Sequence, residues 1–302
     1  MTVALKRTII CSSKHFDKLR IPKHARPRPP REKAIPPDQI TKQPIIMNMA
    51  TIPGRQAFML QNVQSLLPQC TVINVCLNGH KLVPPELVHP KINIIRTGDG
   101  FEMADRGALG KFYALNQPES ATGYYLTVDD DIIYPHNYAQ QMIKTIKYHD
   151  HKAMVGVHGL ILEINDLPGA EPVDYREHRR LFVFNKELDR DTPVHTIGTA
   201  TCAFHTSLTK MTWEDISCFP YSIDEQLARY NQRNKIPMLV THRTGDWLRH
   251  NAPAAHIEPM NRRADVKNAR SRRYWEGRPW ELYKVGGGVF DTAKVLAAVR
   301  KP

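Results

Sequence analysis

Apolar positions along the chain follow two rhythms that alternate. "IIMNMAT", residues 45–51, is a short, nearly continuous apolar run stopped by "IPGR". A run of that length, bounded by Pro and Gly, predicts a buried strand. "RQAFMLQNVQSLLPQ", residues 55–69, instead sets Phe58, Leu60, Val63, Leu66 and Leu67 at helical spacing. Strand-like runs return at "CTVINVCLN" (70–78), "KINIIRT" (91–97), "GYYLTV" (123–128), "KAMVGVHGLIL" (152–162) and "IPMLVTH" (236–242). Helical patterns fall between them at "ALGKFYALNQ" (108–117), "PHNYAQQMIKTIKYHD" (135–150) and "SIDEQLARYNQRNK" (222–235), with Pro135 suited to a helix start. This alternation predicts an α/β fold. The expected form is a mostly parallel central sheet flanked by helices in a single Rossmann-like domain. Such sheets bind ligands beyond the carboxyl ends of their strands.

The pattern loosens elsewhere. Residues 160–220 read as an insertion with short strands and a Gly/Thr-rich turn. Residues 21–44 are rich in Pro and charge, and "NARSRRYWEGRPWELY" (268–283) reads as a terminal helix. The expected organisation is a basic, Pro-rich N-terminal extension (1–43), a catalytic domain (44–250) and a basic, partly helical C-terminal extension (251–302). Neither an internal repeat, a P-loop nor a dinucleotide fingerprint is present.

Charge sharpens this division. The 302 residues carry a formal net charge of +12. Residues 1–42 hold eleven Lys/Arg against three acids, and the last 42 residues hold eleven against four. Basic ends suit anionic partners, such as an anionic membrane surface or an acidic acceptor. No zinc-finger spacing or RNA-recognition signature accompanies them, which argues against nucleic acid. No apolar run approaches the roughly 20 residues of a spanning helix. "MTVALKRTIICSSKHF" is a poor secretory signal. Cys11, Cys70, Cys76, Cys202 and Cys218 form no CxxC pair, so reduced thiols are expected. The expected location is cytoplasmic, with contact at the inner face of the membrane consistent with the charge.

Candidate chemistry centres on "YYLTVDDDIIYP", residues 124–135. In an extended segment Asp129 and Asp131 share a face, and Asp130 points the other way. Two hard oxygen ligands on one face suit Mg²⁺ or Mn²⁺, which commonly bridges one or two carboxylates to substrate phosphates. A solvated acidic turn is the plain alternative, but apolar runs on both sides of the aspartates disfavour it. His242, at the end of another apolar run, is a candidate third ligand, although a lone histidine is more often a surface or packing residue.

In chain order, "MATIPGR", "YYLTVDDDIIYP", "VGVHG" and the later Asp-Glu helix resemble the nucleotide-sugar-dependent glycosyltransferases of the GT-A fold. The resemblance spans residues 44–250 and is nearest to the bacterial family 2-like enzymes of capsule and surface polysaccharide synthesis. It implies a nucleotide-diphosphate sugar as donor, Mn²⁺ or Mg²⁺ as cofactor, and a glycan or lipid-linked glycan as acceptor. By the same resemblance, the turn from Ala50 through Thr51 to Arg55 lines the nucleotide pocket, with Arg55 facing phosphate. Asn78 lies near base or ribose, Asp99 or Asp105 holds base or ribose, and Lys111 approaches the diphosphate. Asp129 and Asp131 match the metal pair and Asp130 the ribose.

Arg55 and Lys111 could also be solvated helix charges; Arg55 follows a Gly turn at a helix start, a place suited to anions. An inverting enzyme needs a carboxylate base. Asp224 and Glu225 in "SIDEQL" are the candidates, in reversed order relative to the Glu-Asp of the family. They would also complement the helix N-terminus. His195, His205 and Trp247 are candidates for sugar contacts. Two other functions remain open: a nucleotidyltransferase or phosphotransferase, disfavoured by the single glycine of "TIPGR", and a non-catalytic sugar- or polyanion-binding module.

Overall fold

The computed structural model describes residues 35–98, 107–117, 122–168, 172–218, 222–251 and 264–299. Asp99, Asp105, Cys11 and most of the N-terminal extension lie outside them. Among the described residues the central sheet has eight strands: β1 (Ile45–Thr51), β2 (Val72–Asn78), β3 (Ile92–Thr97), β4 (Tyr124–Asp129), β5 (Met154–Gly156), β6 (Thr192–Pro193), β7 (Ala203–His205) and β8 (Met238–Val240). Their spatial order is β3-β2-β1-β4-β7-β5-β8-β6. Six run in one direction, while β7 and β6 run against them. The expected α/β class and mostly parallel sheet are present.

Side-chain alternation explains why this sheet is covered on both faces. Along β4, Tyr124, Leu126 and Val128 enter one core and Tyr125 enters the other. The first core takes Met59, Val63 and Leu66 of α1 (Gln56–Leu66) and Met142, Ile143 and Ile146 of α2 (Tyr138–Tyr148). The second takes Leu227 of α3 (Ile223–Arg233), Tyr274 and Trp275 of α4 (Ala264–Glu276), and Trp280.

Register on the second face is fixed by polar groups. Asn93 Nδ2 donates to Asn74 Oδ1 at 3.1 Å, Asn74 Nδ2 to Asn48 Oδ1 at 2.8 Å, and Asn48 Nδ2 to the Leu126 carbonyl at 3.1 Å. A one-residue slip would strand the buried amides of Asn48 and Asn74 without partners.

The stretch 108–117 is helical as expected, but as a 3₁₀ segment, Gly107–Asn116. It lies close to the sheet because three small residues meet: a Cβ on Gly110 would collide with Cys76 Sγ and lie 3.5 Å from the Ala50 Cβ.

The strand expected over 152–162 is instead two. After β5 the chain leaves the central sheet, and Gly159–Leu162 pairs with Thr196–Ile197 and Arg179–Phe182 in a separate three-stranded sheet. Gly159 makes the break: a Cβ there would lie 2.6 Å from Val240 Cγ2 and 2.7 Å from the Thr196 carbonyl oxygen.

Residues 264–299, within the segment expected as an extension, belong to the same compact unit as the sheet. The expected helix 268–283 stops at Glu276. Gly277 then packs on the Trp280 indole, where a Cβ would come within 2.6 Å of Cζ2. Trp280 is fully buried, with Nε1 donating to the Tyr274 carbonyl at 2.6 Å. Among the described residues Cys70, Cys76, Cys202 and Cys218 form no disulfide. No helix among the described residues is long and apolar enough to cross a membrane.

Candidate active site

A cavity of about 550 Å³ opens where β1, β2 and β4 end, at Thr51, Asn78 and Asp129. The parallel register sets these strand ends side by side, with Ala50 opposite both Cys76 and Asp129. Thr51, Arg55, Asn78, Lys111, Asp129, Asp130, Asp131 and Asp224 all line the cavity. Residues spread over more than 170 positions of sequence therefore meet in one place.

The three aspartates are held differently. Asp130 is 1% exposed and turned inward. Its Oδ2 accepts from Thr51 Oγ1 at 2.6 Å and its Oδ1 from Arg55 Nη1 at 2.8 Å. Its carboxylate thus fixes Arg55 beside the cavity, which Asp130 also lines. Burial raises its pKa, with Arg55 and Thr51 opposing. Asp129 carries an ion pair from the buried Lys111 Nζ to its Oδ1. Its amide N–H donates to Tyr134 Oη at 2.7 Å, and its carbonyl accepts from Asn62 Nδ2 at 3.2 Å. Asp131 Oδ2 lies 3.4 Å from Arg55 Nη2. Burial, followed by the charge of Asp129, pushes the Asp131 carboxyl up to about 6 despite Arg55.

Asn78 is 1% exposed. It accepts from Thr97 Oγ1 at 2.5 Å and donates to the Gly107 carbonyl at 3.0 Å, so it fastens the segment bearing Lys111 to β2.

Also lining the cavity, Asp224 accepts at Oδ1 from the Thr199 amide at 2.8 Å and from Thr199 Oγ1 at 2.7 Å. Glu225 does not line the cavity. It is 2% exposed and paired with Arg270 Nε at 2.9 Å. Burial, aided by Asp224, pushes its carboxyl up to about 7 against the opposing Arg270. Its part in the site is indirect, because Arg270 lines the cavity.

His242 is a correction. It ends beyond β8 as expected, but it is exposed and does not reach the aspartates. Its Nδ1 and its amide both lie 2.8 Å from Asp191 Oδ1. Burial pushes Asp191 up, yet hydrogen bonds from His149 and His242 outweigh it and hold the carboxyl at about 2. The histidine that does stand beside the aspartates is His250, whose strand pairs with Ile132 immediately after Asp131. His195 and His205 also lie away from the cavity. His195 is buried and accepts from the Leu162 amide at 2.9 Å, and His205 Nε2 is 2.7 Å from Gln43 Oε1. Trp247 Nε1 donates to Asn137 Oδ1 at 3.2 Å and does not line the cavity.

Lining residues not singled out individually from sequence include His158, Phe184, Thr199, His250 and Arg270. The "VGVHG" phrase and the Gly/Thr-rich turn held signals for His158 and Thr199. His250 and Arg270 had none, since distant pairing alone delivers them.

The donor set fits a divalent cation of a particular kind. Among the described residues no group of three or more His, Cys, Asp and Glu converges as a metal cage. Asp129 and Asp131 both line the cavity, and the Asp131 carboxyl is raised by burial and then by the Asp129 charge, which a cation between them would offset. That composition suits an ion completing its shell with substrate phosphates and water. Comparison with protein-family models and with curated proteins finds no match for this chain.

Proposed function

We propose that this chain is a metal-dependent glycosyltransferase of the GT-A type, moving a sugar from a nucleotide-diphosphate sugar to a hydroxyl of a glycan or lipid-linked glycan. One observation carries the reading. The aspartate run at the end of β4, Arg55, Lys111 and the carboxylate of Asp224 all line one cavity. That is a diphosphate end and a base in one pocket.

Asp129 and Asp131 would hold Mn²⁺ or Mg²⁺, which when bound neutralises charge on the departing diphosphate. Arg55 and Lys111 add fixed positive charge at the same place. Asp224 takes the proton of the acceptor hydroxyl as that oxygen bonds to the anomeric carbon. The bond from that carbon to the diphosphate oxygen breaks, and its electron pair leaves with the nucleoside diphosphate. Thr199 orients Asp224 through two hydrogen bonds to one oxygen, leaving the other for the proton. A base in this position favours inversion at the anomeric carbon. The basic chain ends suit an anionic membrane surface or an acidic acceptor.

The test is calorimetry of the full chain with Mn²⁺ and a panel of UDP-, GDP- and dTDP-linked sugars. The expected result is saturable, metal-dependent binding of one donor, lost in Asp131→Ala, while Asp224→Asn binds donor but does not transfer. Donor binding that persists without metal and survives Asp131→Ala overturns the reading. Release of pyrophosphate in place of nucleoside diphosphate would identify a nucleotidyltransferase instead.

A further inference from the structure

His158 lines the cavity but has no part in the chemistry above. It sits at the break between β5 and Gly159–Leu162, and its backbone is fixed from two sides. Its amide donates to Thr201 Oγ1 at 3.1 Å, and its carbonyl accepts from the Gly198 amide at 2.9 Å. The ring packs against Gly198, where a Cβ would come within 3.0 Å of the imidazole Cδ2. Among the described residues no hydrogen bond or ion pair reaches the imidazole, and Nδ1 is buried without a partner. A fixed polar ring in that state is poised for a ligand.

Its charge state is set chiefly by burial. Burial holds the imidazole down at about 4. Asp224 pulls it up, while Arg243, Arg179 and His250 push it further down. Near neutral pH the ring therefore offers one N–H donor and one acceptor nitrogen. A sugar hydroxyl, which can donate or accept, can pair with whichever ring nitrogen reaches the cavity.

Position narrows the ligand further. The Phe184 ring lies 6.1 Å from that of His158 and 4.7 Å from that of His250. His250 senses Asp131 and Asp129, and His158 senses Asp224. His158 and Phe184 thus line the same cavity as the aspartate run and Asp224, with Phe184 in ring contact with both histidines. In the proposed reaction that is where the transferred sugar sits.

We infer that His158 and Phe184 form a subsite that reads one hydroxyl of the donor sugar, with the imidazole hydrogen-bonding to it and the phenyl ring covering an apolar patch of the pyranose. The inference rests on the glycosyltransferase reading. An uncharged hydroxyl is specified at that position, since a neutral imidazole gives a carboxylate no ionic attraction.

The experiment uses the full chain with Mn²⁺ and four probes: UDP-glucose, UDP-galactose, UDP-N-acetylglucosamine and GDP-mannose. For the donor that binds, each monodeoxy analogue is titrated against wild type, His158→Gln and His158→Phe. One analogue should bind wild type about tenfold more weakly than its parent, as for loss of one good hydrogen bond. In His158→Phe that deficit should shrink to about twofold or less. If His158→Phe does not fold, His158→Gln carries the comparison with a smaller change. Equal deficits in all three proteins, as for an imidazole that binds water only, overturn the subsite. So does a variant that weakens free UDP or GDP as much as the sugar donor, because the role is then structural. Absence of any donor binding to wild type sinks the transferase reading itself and the subsite with it, so the two failures differ.

Discussion

Asp131 is where function works against stability. Burial and the neighbouring Asp129 charge raise its carboxyl to about 6 in the folded chain, above its ordinary value of 3.8. A raised folded-state pKa contributes stability that is full below about 4 and is lost as pH rises through about 6. At pH 7.5 the ionised form is therefore a liability. Asp131→Asn should stabilise the metal-free protein by about 1 kcal/mol at pH 7.5. The gain should shrink as pH falls through about 6 and vanish only below about pH 4, where the carboxyl is protonated in both the folded and the unfolded chain. Urea denaturation across this range measures both. A loss of stability at pH 7.5 would contradict the repulsion. The same substitution should remove metal-dependent donor binding, the usual trade at a strained functional site. At this scale the sequence was informative about residue type and uninformative about direction. Asp224 and Glu225 are neighbours with the same chemistry, yet successive residues of a helix point to different sides. One lines the cavity and the other is buried against Arg270.

Among the elements, the 3₁₀ segment Gly107–Asn116 matters most, because it brings Lys111 under the strand ends. Its approach depends on Gly110 facing Cys76 and Ala50. Gly110→Ala should cost about 1–3 kcal/mol through overpacking and weaken donor binding by displacing Lys111. Adding Cys76→Ala should recover part of the loss; the Cys76 Cβ, 2.8 Å from the new methyl, would still crowd it. Denaturation midpoints of the single and double variants decide the matter, and a neutral Gly110→Ala would show that the segment is free to shift. The existence of a helical segment here was legible from its apolar spacing. Its closeness to the sheet was not, since that reflects three small residues from three separate parts of the chain. The break after β5 was hidden for a similar reason. "VGVHGLIL" is apolar throughout, and the groups that crowd Gly159 come from Val240 and Thr196.

For the molecule as a whole, the segment after residue 263 is part of the fold. Tyr274, Trp275 and Trp280 pack in the same core as Phe112, Tyr125 and Phe204, and Arg270 reaches the cavity. Trp280→Ala should cost about 3–5 kcal/mol, the range for emptying a large buried aromatic site. Because the described residues form one compact unit, far-UV circular dichroism and fluorescence should report the same transition. A cost below about 1 kcal/mol, or a separate early transition, would mean that this segment folds apart from the sheet. The basic composition of the last 42 residues concealed this. Net charge describes the solvent face, while three aromatic residues decide what is buried.

By itself the sequence determined the alternation of strands and helices, the placement of Asp129, Asp130 and Asp131 where a buried strand ends, and Arg55 just after the first strand. These are local properties, set by side-chain periodicity and by turn residues within a few positions of one another. Tertiary structure decided which side chains converge. It turned Asp130 onto Arg55, gave His242 to Asp191, brought His250 beside the aspartates, and chose Asp224 over Glu225 for the cavity. Each of those outcomes depends on pairing between segments distant in the chain, through sheet order, glycine-permitted close approach and burial, none of which leaves a periodic trace in the residues themselves.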